Sequence, residues 1–185
     1  MIAQLAIGLM LLFTTRVFAF EEPKDFRGLA WGISREAAEA TIHDQEEKRR
    51  QAGEIVIFAD IKKRFETERV WVVFYEEYIG GIKTLIILRF LDDKLGQVSL
   101  SFLSKDFSSM LGAFETRYGK PTKISGKDFT SGLGARITGQ ELNWDGKKTM
   151  IHLSQYATSS KDGSAHITTV DHMKYVLAQE RAGDL

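Results

Sequence analysis

Cysteine is absent from this 185-residue chain, and proline occurs only twice. Without a thiol there is no disulfide to staple the fold, no thiolate nucleophile and no thiolate metal ligand. The acceptor that bacterial lipoproteins acylate is missing as well, so burial alone must hold the protein together. Nor is there an excess of either charge: 25 Lys and Arg stand against 25 Asp and Glu. A chain so balanced has no global field to recruit nucleic acid or an anionic membrane. What it does have is apolar material. Hydrophobic residues make up 43% and aromatics 11%, with twelve Phe among them, which suits an ordered core and argues against disorder.

The longest apolar run lies at the start. Ile2 to Phe13 is almost wholly hydrophobic but short for a membrane-spanning helix, and no Lys or Arg precedes it. Thr14-Thr15-Arg16 and then Val17-Phe18-Ala19 follow, with small or β-branched residues where a signal peptidase inspects. This layout predicts a signal peptide over 1–19, cleaved near Ala19, and export to the periplasm or medium without a stable membrane anchor. The mature chain would carry 24 basic against 25 acidic residues. It is expected to form a single α+β domain over 20–185, with possible halves at 26–104 and 105–182.

Beyond Phe20, Ser34 is a good N-cap for a helix that carries Ala37, Ala38, Ala40 and Ile42 and then turns wholly polar from His43 to Gln51, with Gly53 as its stop. Four β-rich runs follow, at 55–58, 70–75, 84–90 and 97–102. Gly80-Gly81 permits a tight hairpin between the second and third, and Val98, Leu100 and Phe102 alternate with Ser99 and Ser101. Phe107, Met110, Leu111, Phe114 and Tyr118 share one helical face, with Asp106 before them as a cap and Gly119 and Pro121 after them as a stop. Residues 120–138, rich in Gly, Ser and Lys, read as a long loop. Strands at 141–144 and 149–153 around an Asp145-Gly146 turn, a strand at 165–170 and a closing helix with Met173, Val176 and Leu177 complete the chain. The expected fold class is thus α+β: antiparallel meander sheets with helices packed on one face. A faint echo of Leu88 to Ser101 in Leu142 to Ser154 suggests two degenerate helix-then-meander repeats.

The aromatic and glycine segment Phe26 to Gly32, the helix end Arg117-Tyr118-Gly119-Lys120-Pro121 and the Trp144 hairpin with Ile151-His152-Leu153 resemble a broad group of small exported bacterial proteins of uncharacterised role. In layout the chain is similar to β-lactamase-inhibitor-like domains and to the small accessory protein of outer-membrane assembly machinery. That resemblance implies helices stacked on an antiparallel sheet and a role in binding proteins, with no catalysis.

Chemistry is sparse. His152 points away from the Ile151 and Leu153 face, and His166, with Asp171 and His172 close behind, follows in the next strand. If the two strands pair, His152 and His166 approach each other and offer an N/O metal site or an acid–base pair, with His172 as a further weak metal candidate. No His-Glu-x-x-His spacing or Gly-x-Ser-x-Gly elbow accompanies them. Phe129, alone in its polar stretch, and Trp31 and Trp144, near element ends, are the candidate partner contacts. The leading expectation is an exported, non-catalytic protein that binds another envelope or secreted protein, needs no cofactor and takes no nucleic acid. The alternative is a small-molecule or metal-binding domain, or a hydrolase, centred on His152 and His166.

Overall fold

The computed structural model describes residues 20–54, 62–67, 69–130, 134 and 136–183. The expected signal peptide and the expected strand at 55–58 lie outside the described residues. A short hairpin, β1 (Asp25–Phe26) and β2 (Leu29–Ala30), leads into helix α1 (Arg35–Gln51). Four strands follow: β3 (Lys62–Thr67), β4 (Val70–Ile79), β5 (Ile82–Leu91) and β6 (Lys94–Leu103). Helix α2 (Phe107–Tyr118) then precedes four more: β7 (Lys123–Thr130), β8 (Arg136–Asp145), β9 (Thr149–Ser154) and β10 (Asp162–Thr169). Helix α3 (Val170–Gly183) closes the chain.

The long strands form one antiparallel sheet in the order β3-β4-β5-β6-β10-β9-β8-β7. Helix and four-strand meander therefore occur twice, and the last strand of each half meets the other at the centre. There Val98 lies opposite Ile167, Leu100 opposite Ala165 and Phe102 opposite Gly163. The repeat anticipated in the sequence is off by one strand: it matched β5–β6 to β8–β9, whereas the topological counterpart of β8–β9 is β4–β5. Alternation with period two looks alike in every hairpin, so it cannot fix which strands correspond.

Register decides what each face carries. Tyr75, Ile86, Leu100, Ala165, Leu153 and Leu142 line up across six strands on one face, and Val73, Leu88, Val98, Ile167, Ile151 and Trp144 make the next row. These side chains are buried in a single cluster with Ala38 and Ile42 of α1 and Phe107, Met110, Phe114 and Tyr118 of α2. Helices α1 and α2 thus cover this inner face, as the α+β expectation requires. Ser34 caps α1 by accepting the Ala37 N–H at 3.3 Å, and Gly119 ends α2 at φ +80°. Asp106, by contrast, makes no side-chain cap bond, because it closes a 3-10 turn over Ser104–Asp106 that already leads into the helix.

Two further expectations are corrected. The segment 120–138 is largely the β7–β8 hairpin, paired from Lys123↔Asn143 to Thr130↔Arg136. It reads as a loop because β7 is an edge strand, wet on both faces (Ile124 is 64% exposed), so burial never imposed alternation on it. Lys62–Thr67, between the runs expected at 55–58 and 70–75, forms β3, the opposite edge, whose Lys-Lys-Arg-Phe-Glu-Thr sequence is equally polar. The closing helix forms as expected, but Val176 and Leu177 are exposed, and its buried residue is His172.

The centre of the sheet leaves no room at Gly163, where an added Cβ would fall within 3 Å of the buried Phe102 ring. Gly163→Ala is expected to lower stability by about 1–3 kcal/mol through overpacking. Gly112, exposed on α2 with nothing near its Cβ position, should respond oppositely. Gly112→Ala is expected to raise stability by about 0.5–1 kcal/mol through helix propensity. Urea unfolding of the two variants beside the parent checks both signs.

Candidate functional site

The outer sheet face, opposite α1 and α2, holds the side chains that sequence alternation turned away from the core. His152 and His166 are direct cross-strand partners on β9 and β10, and their rings stack with centroids 6.4 Å apart and planes 14° from parallel. The expected approach of the two histidines is therefore present. Each ring is held from the neighbouring strand: Asn143 Oδ1 lies 2.9 Å from His152 Nδ1, and Ser99 Oγ lies 2.9 Å from His166 Nδ1. Arg89 donates to Ser99 Oγ at 2.9 Å. Glu141 lies 3.9 Å from His152 Nε2 and pairs at 3.1 Å with Lys127. A polar row thus crosses six strands from Arg89 on β5 to Lys127 on β7. The sequence marked its two histidines and placed Ser99 on the outer face, expecting it wet, whereas it is 4% exposed there; Arg89, Asn143, Glu141 and Lys127 join only through register, which is non-local.

Both rings are kept neutral. Burial pushes the His166 pKa down to about 4, helped by the neighbouring His152 and by Arg89. Burial also lowers His152, with Lys127 adding to it and Glu141 opposing it. With Ser99 receiving the Arg89 N–H, its own hydroxyl proton is available to His166 Nδ1. That arrangement suits a neutral imidazole protonated at Nε2. Ser99 is only 4% exposed, so its contact with His166 offers a substrate no approach. An ion held by both rings at about 2.0–2.1 Å needs their nitrogens much closer than this stacking sets them. Among the described residues no three His, Asp or Glu side chains converge on a metal position.

The remaining candidates separate from this row. His172 is 2% exposed on the inner side of the sheet, where α3 starts and Thr169 Oγ1 accepts its backbone N–H at 3.3 Å. Its ring fills the space above Gly96, where a Cβ would come 2.6 Å from Nδ1. Trp144 is corrected from partner contact to core: it is fully buried, tilted against Phe114, and its indole N–H reaches the Gly119 carbonyl at 2.8 Å. Trp31 is partly exposed and packs on the core edge, donating to the Pro23 carbonyl at 2.8 Å. Phe129 takes its place in β7 opposite Ile137, and its side chain lies outside the described residues.

The outer face also carries apolar side chains. Phe74, Leu85 and Ile87 of β4 and β5 and Met150 of β9 are partly exposed beside the histidine row. Among the described residues no helix is long and apolar enough to cross a membrane. No protein-family model, curated protein or solved structure matches the chain, so the site is read from its own geometry.

The lowered histidine pKa values link this row to stability. Between the ordinary histidine value and about 4, the unfolded chain binds protons that folded His166 does not. Stability is therefore greatest above the ordinary value and falls as pH drops through that window. A loss on the order of 1–2 kcal/mol between pH 7 and 5 is expected from His166. His166→Asn should remove most of it, and urea unfolding of both proteins at the two pH values measures the difference.

Proposed function

We propose that this chain is an exported, non-catalytic binding domain that docks another envelope or secreted protein on its outer sheet face. The observation that carries the reading is the asymmetry of the sheet. Two helices bury one face, and the other presents Phe74, Leu85, Ile87 and Met150 beside a polar row tied together by hydrogen bonds. Apolar residues set beside hydrogen-bonded polar groups on an exposed face are the composition of a protein interface. The layout similar to β-lactamase-inhibitor-like domains supports the same reading. The inaccessible Ser99 and the neutral, stacked histidines give little support to the hydrolase or metal alternative.

Photo-crosslinking in cells tests it, with the reactive residue placed at Ile87 or Met150 on the outer face, or at Glu115 on α2 as a control. One dominant envelope protein captured from Ile87 and Met150, but not from Glu115, is the expected result. With that partner purified, Ile87→Lys should weaken binding by about tenfold or more, since one buried apolar anchor contributes over 1 kcal/mol. Capture from Glu115 alone, or an unchanged affinity in the Ile87 variant, would rule out this face.

A further inference from the structure

A second concave feature lies on the other side of the sheet, at the end where β6 begins. It is a cleft of about 440 Å³ between the 31–32 segment, the β5–β6 turn and the start of α3. Its walls include the Trp31 ring, Leu91 and Leu95, with Lys94, Gly96 and His172 around them. The volume is that of a site for a small organic molecule, and the mixture of apolar wall and few polar groups is what such sites carry.

Each wall is held by contacts with its neighbours. Trp31 is anchored to the Pro23 carbonyl, and Gly32 and Ile33 bond the Leu95 backbone at 2.9 and 3.0 Å. The turn has positive φ at Asp92 and Asp93, the conformation of a tight hairpin. Its two carboxylates are both engaged: Asp92 takes a two-pronged contact from Arg69, its Oδ1 receiving Nε at 2.8 Å, and Asp93 accepts the Arg35 N–H at 3.1 Å. His172 fits against Gly96 only because that position lacks a Cβ. A cavity so held loses little freedom when it is filled.

Three charged residues line it, Asp92, Lys94 and Asp171. Asp92 is neutralised by Arg69, and Asp171 projects into solvent, 3.5 Å from Lys174. Lys94 lines the cleft near Asp92, on which its charge acts, and forms no ion pair among the described residues. One cation therefore remains beside an apolar, aromatic wall. We propose that this cleft binds a small organic anion with a flat apolar body, of the aromatic-carboxylate class, its ring against Trp31 and its carboxylate toward Lys94. The site is separate from the docking face and does not depend on that reading.

Titration with 2-naphthoate, followed in ¹H–¹⁵N correlation spectra of the ¹⁵N-labelled protein, tests the proposal. The expected result is saturable shifts, with Kd at about 1 mM or tighter, in the Trp31 indole N–H and the amides of Gly32, Lys94–Gly96 and Asp171–His172. The indole signals of Trp71 and Trp144 should stay still. Lys94→Ala should weaken binding about threefold or more, as should replacing the probe by neutral 2-naphthamide. Trp31→Leu should abolish saturation, and thermal melting verifies that both variants stay folded. Absence of saturable shifts, shifts centred on the outer face, or equal binding of acid and amide would overturn it.

Discussion

The pairing of β6 with β10 is the constraint on which the rest of the structure depends. Each half of the chain, a helix and four strands, presents an apolar row that its own helix covers only in part: α1 buries little beyond Ala38 and Ile42. Joined edge to edge, the two rows become one surface, wide enough for α2 to cover with Phe107, Met110, Phe114 and Tyr118. Phe102 against Gly163 and Leu100 against Ala165 set large side chains opposite small ones along that seam, and at Gly163 the Phe102 ring leaves no room for a Cβ.

The same seam assembles both features proposed to bind. On the outer face, the Ser99↔His166 register brings the Arg89–Ser99 contact from the first half to the stacked imidazoles of the second. At its end, β6 supplies Leu95 and Gly96 while β10 supplies Thr169 and leads into His172, which together line much of the cleft. Neutrality of the histidines follows from the same arrangement. Burial, then the second imidazole and the positive Arg89, oppose protonation of His166, and burial with Lys127 outweighs Glu141 at His152. The two imidazoles at the centre of the outer face thus stay polar without carrying charge of their own.

Much of the fold could be read along the chain wherever burial imposes a period. Val98, Leu100 and Phe102 announce β6, and Phe107 to Tyr118 announce α2, because each buries one face against the core. The facing of His152 and His166 was legible for the same reason: each sits between two inward residues. Burial imposes no such pattern on β7, an edge strand, and there the polar sequence reads as loop. Trp144 looked like a contact because it ends a strand. Its burial depends on the Gly119 carbonyl, 25 residues earlier, which no local pattern reveals. The joining of β6 to β10, and with it the Arg89 and Ser99 support of His166, links positions 67 residues apart, beyond the reach of periodicity.

Native-state hydrogen exchange tests most directly whether the two halves form one cooperative sheet through this seam. The account predicts that the hydrogen-bonded amides of β6 and β10 exchange only through global unfolding, with the same free energy and denaturant dependence as the β4–β5 and β8–β9 pairs. Exchange of the β6 and β10 amides at lower free energy, while either hairpin stays protected, would show two halves that open independently and contradict it.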